Sequence, residues 1–202
     1  MSEYWRKKLT RYTDAGWSRQ ETIFATQAVK YFPDNGKVLE LGAGLGRDSA
    51  FFASRGYDVT ATDFETDTLK GLYPTMDVQT VDISKPLPFA DMAFDVVYAH
   101  LAIHYFDDVT TRRLTDEIWR ILRPGGIVAV LVNSTADPEC GQGRQIEENF
   151  FEIDGIYKRY FTPAYMREVM AGFECELLDV DCETRKDMTK GVHQLIGFIG
   201  RK

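Results

Sequence analysis

Short apolar runs alternate with amphipathic stretches through the middle of the chain. The apolar runs predict five β-strands, at 37–41, 57–62, 76–81, 94–99 and 127–132. The stretches between them predict helices at 47–55 and 65–72, and a longer helix whose apolar stripe is Leu114, Ile118, Ile121 and Leu122. Strands and helices that alternate in this way predict a parallel sheet with helices on both faces.

The N-terminal end of the chain departs from this alternation. The stretch Ser18–Glu21 has the form of a capping box, and apolar residues follow it at helical spacing. We therefore predict N-terminal helices within 1–35, ahead of the first strand.

The C-terminal part also departs from it. The stretch NFFEIDGIYKRYF at 149–161 predicts a small hairpin, and Thr162 and Pro163 predict the start of a helix that ends near residue 171. Two strands follow at 174–183 and 192–201, and the polar turn between them is so short that they must be antiparallel. The prediction is an α/β fold with a doubly wound, seven-stranded sheet whose last strand is antiparallel.

Composition narrows the classes of protein. The 202 residues are 44% hydrophobic and 27% charged, which is typical of one soluble domain, and no apolar run is long enough for a membrane helix. The formal charge of −7 argues against a nucleic-acid partner. The three cysteines, Cys140, Cys175 and Cys182, lack metal-ligand spacing, so we predict no metal site and a reducing, cytoplasmic location.

The candidate chemistry begins at the stretch VLELGAGLGRD, where a strand turns into a helix. A dinucleotide fingerprint has the form G-x-G-x-x-G. Here the third glycine, Gly46, arrives one position early, and Arg47 stands where that fingerprint needs glycine. Glu40, at the end of the first strand, would repel a pyrophosphate but suits the cationic end of another ligand. The loop therefore argues against NAD.

Two further acids follow strand ends. Asp63 ends the second strand at the interval from the loop where an acid normally binds a ribose diol, a role common to several nucleosides. Asp82 follows the third strand, where it offers a carboxylate to an adenine amino group. Both acids support a nucleoside ligand.

With these segments in order, the chain resembles the class I S-adenosylmethionine (SAM)-dependent methyltransferases. The matching stretches are VLELGAGLGRD, VTATDF, VDISKPLPF, FDVVYAHLAIHYF and ILRPGG. Within that class, GRDSAFFASRGYDVTATDF is most similar to the small-molecule branch that includes tellurite-resistance and thiopurine methyltransferases. The resemblance implies a Rossmann-like fold in one domain, 1–202, with 1–35 as cap helices and 134–172 as an insertion and helix on the acceptor side.

The resemblance also implies roles for particular residues. The methionine part of SAM would be wrapped by the glycine loop, with Glu40 nearby: Gly42, Ala43, Gly44 and Gly46. The nucleoside would be held by residues that follow the second and third strands: Asp63 and Phe64, then Asp82 and Ile83. His100 and Leu101 would form the floor beneath the sulfonium. The N-terminal aromatics Tyr4, Trp5, Tyr12 and Trp17 would close over the ligand.

The function so implied is transfer of a methyl group from SAM to a small soluble acceptor, leaving S-adenosylhomocysteine. His104 is a candidate general base at the rim of the acceptor site, although packing against Tyr105 and Phe106 is the favoured explanation. His193 is a second candidate that reaches the same cleft. Two other functions stay open: a SAM-binding regulatory or interaction module without turnover, and an NAD-dependent oxidoreductase. The oligomeric state is not indicated.

Overall fold

The computed structural model of the chain describes residues 2–13, 16–184 and 193–202. Its main sheet is built from β1 (Lys37–Leu41), β2 (Asp58–Asp63), β3 (Asp77–Thr80), β4 (Phe94–His100), β5 (Leu122–Asn133), β9 (Glu174–Cys182) and β10 (Leu195–Arg201). The strand order is β3-β2-β1-β4-β5-β10-β9. The first five strands pair in parallel, and β10 is antiparallel to both β5 and β9. The seven-stranded sheet with an antiparallel last strand is confirmed.

The helices are α1 (Ser2–Tyr12), α2 (Ile23–Ala28), α3 (Arg47–Ser54), α4 (Asp67–Leu72), α5 (Asp108–Ile121) and α6 (Pro163–Val169). Short 3₁₀ turns lie at Gly16–Arg19, Val29–Tyr31 and Ile103–Tyr105. Leu122, which we placed on the apolar stripe of α5, is instead the first residue of β5, because the backbone at Leu122 is already extended. The predicted turn at 184–191 lies outside the described residues apart from Thr184.

The sheet is buried on both faces. On one face, α5 and α6 pack Ile118 and Met166 against strand residues such as Val97. On the other face, Phe24 of α2 and Phe52 of α3 pack against the alternate strand residues, Val96 and Tyr98 among them. Successive side chains of a strand point to opposite faces, so the continuous apolar runs of β4 and β5 serve both layers.

The start of α2 corrects the prediction for the N-terminal helices. The Ser18–Glu21 capping box is wrong, because Gly16–Arg19 forms a 3₁₀ turn and α2 begins only at Ile23. Thr22 is the N-cap, and its hydroxyl accepts the backbone N–H of Ala25 at 3.0 Å. The buried carboxylate of Asp48 accepts hydrogen bonds from both the backbone N–H and the hydroxyl of Thr22, so a tertiary contact sets the start of this helix.

The segment between β5 and α6 carries a second, three-stranded sheet. Its strands β6 (Arg144–Glu147), β7 (Phe150–Ile153) and β8 (Ile156–Arg159) are antiparallel neighbours in that order. The predicted hairpin is confirmed as β7 and β8, with Asp154 and Gly155 both at positive φ, as a two-residue hairpin turn requires. Strand β6 was missed. α6 begins as predicted, with Thr162 as N-cap and Pro163 in its first turn.

The strand order reverses next to β1. The chain runs outward from β1 to β3, and β4 then pairs with the other side of β1. In open α/β sheets, ligands bind in the crevice at the carboxyl ends of the strands where the order reverses. The fold therefore directs attention to the loops that follow β1 and β4.

Candidate functional site

The glycine loop connects β1 to α3. Gly42, Gly44 and Gly46 have φ values of +73°, +57° and +75°. Residues with a side chain rarely adopt such values. A Cβ on Gly42 would lie 2.4 Å from the Ala102 Cβ, and one on Gly46 would lie 2.3 Å from the Leu69 Cδ1. The loop after β4 therefore packs closely on one end of the turn and helix α4 on the other, whereas a Cβ on Gly44 would meet the Leu9 Cδ2 at 3.6 Å. The backbone of the loop is open in its middle.

Asp63, the last residue of β2, is bound directly to this loop. Its Oδ2 accepts the Gly44 N–H at 2.8 Å, and its Oδ1 accepts the Glu65 N–H at 3.1 Å. Burial raises the pKa of Asp63, although these backbone N–H groups oppose that rise. Next to it, Phe64 is 45% exposed. An acid and a solvent-facing aromatic ring thus lie side by side at the edge of the crevice.

Glu40 lies beneath the glycine loop. It is 3% exposed, and the Ser49 hydroxyl donates a hydrogen bond to it. Burial and the neighbouring Asp48 carboxylate both raise the pKa of Glu40. Its main-chain carbonyl accepts the Thr62 hydroxyl at 2.7 Å. Glu40 therefore supports the loop from below, and a direct role toward a ligand stays a prediction.

Asp82 and Ile83 follow β3 at the same edge. Burial alone would raise the pKa of Asp82, but hydrogen bonds from Ser84 and the nearby Lys85 ammonium outweigh it and lower that pKa. The Ser84 N–H donates to Asp82 at 3.0 Å, and the Lys85 Nζ lies 3.4 Å from the carboxylate. Ile83 is partly buried against the core. The carboxylate is ionised and held in a tight turn.

The loop after β4 carries the other predicted residues. His100 ends the strand, and its Nε2 lies 3.0 Å from the Thr184 hydroxyl, beyond the end of β9. Leu101 has a φ of +54°, and its N–H donates to the Leu131 carbonyl at 2.9 Å. His104 is 2% exposed, and its ring centroid lies 4.2 Å from that of Tyr105. The packing of His104 on Tyr105 is therefore observed, and its role as a base stays a prediction.

The donor-side residues predicted from the sequence lie at or just after the carboxyl ends of β1, β2, β3 and β4, and a hydrogen bond joins Asp63 to the glycine loop. Sequence reasoning missed the polar residues that follow β5 at that edge. Asp137 is 4% exposed, and Glu139 accepts hydrogen bonds from Lys158 at 2.5 Å and from Tyr160 at 3.0 Å. Applying the strand-end argument to the fifth strand as well would have identified both acids.

Tyr105 lies between these two groups of residues. Burial raises the pKa of Tyr105, and the negative charges of Glu139 and Asp63 raise it further. Burial and Glu139 also raise the pKa of Tyr4, in α1. The first helix thus lies over the carboxyl edge of the sheet. The side chains of Trp5 and Trp17 lie outside the described part of the chain.

Within 2–13, 16–184 and 193–202, no group of three or more His, Cys, Asp or Glu side chains is arranged to hold a metal ion. No helix in the described part of the chain has the length and apolar character to cross a membrane.

Comparison with known proteins finds a family model that matches part of the chain. Residues 39–130 match the model of a methyltransferase domain. Phosphoethanolamine N-methyltransferase 1 of Triticum aestivum is 28% identical over 139 residues, which cover 65% of this chain and 25% of the relative. The chain spans less than half the length of the curated relatives it matches.

Solved structures share the fold over nearly the whole chain. One is the Burkholderia thailandensis 1,6-didemethyltoxoflavin-N1-methyltransferase, solved with bound 1,6-didemethyltoxoflavin and S-adenosylhomocysteine. It has a TM-score of 0.75 at 22% identity, and the match covers 99% of this chain and 84% of that chain. TehB from Haemophilus influenzae has a TM-score of 0.67 at 19% identity, covering 88% and 61%. At these identities the likeness shows the fold. Residues 39–130 are thus similar to a methyltransferase domain, and the chain shares the fold of solved SAM-dependent methyltransferases, the class that its glycine loop and strand-end acids resembled.

Proposed function

We propose that this chain transfers a methyl group from SAM to a small-molecule acceptor and releases S-adenosylhomocysteine. The observation that carries the proposal is the hydrogen bond between the Gly44 N–H and the Asp63 carboxylate, at 2.8 Å. It fixes an acid against an open glycine backbone at the crevice where the strand order reverses. Such a pair suits a ligand that joins a ribose to a short polar chain.

The residues present fit the donor. Asp63 would accept the ribose hydroxyls, and the exposed ring of Phe64 would cover the adenine. Asp82, held ionised by its neighbours, would accept the adenine amino group, with Ile83 as the apolar wall. Gly42, Ala43, Gly44 and Gly46 would surround the methionine part. Bound there, SAM would supply a methyl group that its sulfonium makes electrophilic, so the chain need mainly align the acceptor and exclude water.

The acceptor side would be built by 134–172 together with the N-terminal helices. The three-stranded sheet β6–β8 rises beside the loop after β4, since the Arg159 guanidinium donates to the Phe106 carbonyl at 3.0 Å. His100 and Leu101 would lie between this side and the donor. In this proposal, 1–202 works as one domain.

The two alternative functions require different residues or different activities of this chain. An NAD-dependent oxidoreductase would need a glycine where Arg47 stands as the first residue of α3. A SAM-binding module without turnover would use the same donor residues, so only turnover separates it from an enzyme.

The first experiment is calorimetric titration with S-adenosylhomocysteine, with NAD as the control ligand. We expect micromolar binding of S-adenosylhomocysteine and none of NAD. Binding of NAD alone would overturn the proposal. Binding of neither ligand would favour an interaction module over an enzyme.

The second experiment measures turnover. The protein is incubated with SAM and a panel of small phenols, amines, thiols and carboxylic acids, and release of S-adenosylhomocysteine is followed. We expect release above the background without acceptor for at least one chemical class. Donor binding without release for any class would support the module without turnover.

A further inference from the structure

A histidine–aspartate pair lies at the carboxyl edge of the sheet, outside the set of predicted donor residues. The Nδ1 of His193 lies 3.0 Å from the Asp137 Oδ2. The same oxygen accepts the Gln194 N–H at 3.1 Å, and the other oxygen accepts the Glu139 N–H at 2.9 Å. The Asp137 side chain is 2% exposed, whereas that of His193 is 21% exposed. A buried, fixed carboxylate thus orients a partly accessible imidazole.

The fold places this pair at the same edge as the crevice. Asp137 follows β5, and His193 precedes β10, whose first residue, Leu195, pairs with the last residue of β5, Asn133. The Ser134 N–H donates to the Gln194 carbonyl at 3.0 Å, which closes the corner between the two strands. The pair therefore sits at the carboxyl end of β5, next in the sheet to β4 and its loop.

The arrangement also fixes which nitrogen of His193 can accept a proton. A carboxylate only accepts hydrogen bonds, so Nδ1 must carry the proton that it shares with Asp137. In neutral His193 the lone pair is then on Nε2. An imidazole held in one tautomer by a buried carboxylate is the arrangement of a general base in other enzymes.

We propose that His193 is the general base of the methyl transfer, positioned by Asp137, and that the acceptor is therefore a protic nucleophile such as a hydroxyl or a neutral amine group. This inference rests on the proposed function. As the bond from the acceptor atom to the methyl carbon forms, the bond from that carbon to sulfur breaks and its electron pair stays on sulfur. The acceptor proton moves to Nε2 of His193, and the Asp137 carboxylate stabilises the resulting imidazolium.

Several titratable groups lie close to His193 and Asp137 and influence how this pair binds protons. Glu139, on the same loop, lies within electrostatic range of His193 and is itself paired with Lys158 and Tyr160 of the three-stranded segment. Burial raises the pKa of the Cys140 thiol, and the nearby Asp137 carboxylate raises it further. These groups are the same whichever ligand is bound, so a difference in the titration of His193 between two complexes is caused by the ligand.

The test is nitrogen-detected NMR of the three histidines in two complexes. One complex holds S-adenosylhomocysteine, which is uncharged at sulfur. The other holds sinefungin, which carries an ammonium group where the methyl group would stand. The His193→Asn variant keeps a donor to Asp137 and identifies the His193 signals by their absence. Unchanged thermal stability of that variant shows that the loop is intact.

If His193 faces the reacting centre, the sinefungin charge disfavours its protonation. We expect its titration midpoint to fall by about 0.5 to 1 pH unit relative to the S-adenosylhomocysteine complex, with the neutral proton on Nδ1. A purely structural His193 would titrate alike in both complexes. Binding of both ligands with equal midpoints, or a neutral tautomer protonated on Nε2, would overturn this inference alone. Failure of both ligands to bind would overturn the proposed function and this inference with it.

Discussion

Thr22 and Asp48 lie 26 residues apart in the chain and are joined by two hydrogen bonds, from the backbone N–H at 2.7 Å and from the hydroxyl at 2.9 Å. The Tyr98 hydroxyl donates a third to the same carboxylate, at 2.8 Å. Since Thr22 caps α2, Asp48 lies in the first turn of α3 and Tyr98 lies in β4, one buried carboxylate links the N-terminal segment, the helix of the glycine loop and the sheet.

Asp48→Ala is expected to destabilise the fold. Removal of the carboxylate leaves the N–H of Thr22 and one of the two buried hydroxyls, Thr22 and Tyr98, without an acceptor, and we expect a loss of about 3 kcal/mol in the free energy of unfolding. Urea denaturation measures it. The control is Asp34→Ala, at an exposed position, which should change stability by less than about 0.5 kcal/mol. Equal effects of the two variants would contradict the role of the buried network.

Glu40 gives the stability a pH dependence. Burial and Asp48 raise its pKa, so the folded state binds that proton more tightly than the unfolded state. The resulting stabilisation is complete below the unfolded pKa and is lost as pH rises through the folded pKa. Glu40→Gln can still accept the Ser49 hydroxyl but cannot ionise. We therefore expect the free energy of unfolding of the variant to rise relative to wild type as the pH increases from about 4, near the pKa of an unfolded glutamate, toward neutrality.

Denaturation across that pH range tests this expectation. The matched change is Glu174→Gln, at an exposed position of β9, and its difference from wild type should stay nearly constant. A constant difference for Glu40→Gln as well would show that the buried carboxyl does not set the pH dependence.

Local patterns were sufficient to predict β1 and α3, because apolar runs and glycine stops act over a few residues. The start of α2 was mispredicted because its N-cap is fixed by Asp48, a contact that spacing along the chain cannot show. β6 was missed because Arg144–Glu147 is mostly polar and pairs only through β7. In the site, Asp63 was found from its interval to the loop. Asp137 was missed because the strand-end argument was not extended to β5, and its contact with His193, 56 residues away, cannot be seen from spacing along the chain.

Gly46→Ala tests the packing of the glycine loop. The new Cβ would meet the Leu69 Cδ1 at 2.3 Å, and φ is +75°. We expect a loss of about 2 kcal/mol in the free energy of unfolding. Gly71→Ala is the control in α4, where a Cβ meets nothing within 4 Å, and it should be neutral or stabilising by up to about 1 kcal/mol. Thermal denaturation of both variants measures the change in stability. A Gly46→Ala variant as stable as wild type would contradict the close packing of Gly46 against Leu69.

Asp63→Ala tests the proposed donor site. The variant loses the acceptor for the Gly44 N–H and for the ribose hydroxyls, so we expect S-adenosylhomocysteine to bind at least about tenfold more weakly. Calorimetry measures the affinity, and Asp67→Ala in α4 serves as the matched change outside the proposed site. Unaltered affinity in Asp63→Ala would exclude Asp63 from ribose recognition.

Arg159→Met is expected to loosen the segment at 144–159. The guanidinium is 4% exposed, donates to the Phe106 carbonyl and pairs with Glu147. Loss of this buried charge leaves its partners unpaired, so amide exchange in β7 and β8 should become at least about tenfold faster. Arg144→Met removes an exposed pair with Glu152 and should leave exchange nearly unchanged. Equal exchange in the two variants would contradict an anchoring role for Arg159.

The position of β10 in the sheet sets an order of folding that differs from the order of the chain. Within the main sheet β9 pairs with β10 and with no other described strand, whereas β10 also pairs with β5. β9 can therefore join the main sheet only with β10 or after it, although β9 comes first along the chain. The edge of β5 stays open until then, so a growing chain carries an unpaired, apolar strand edge that invites misassociation until β10 covers it.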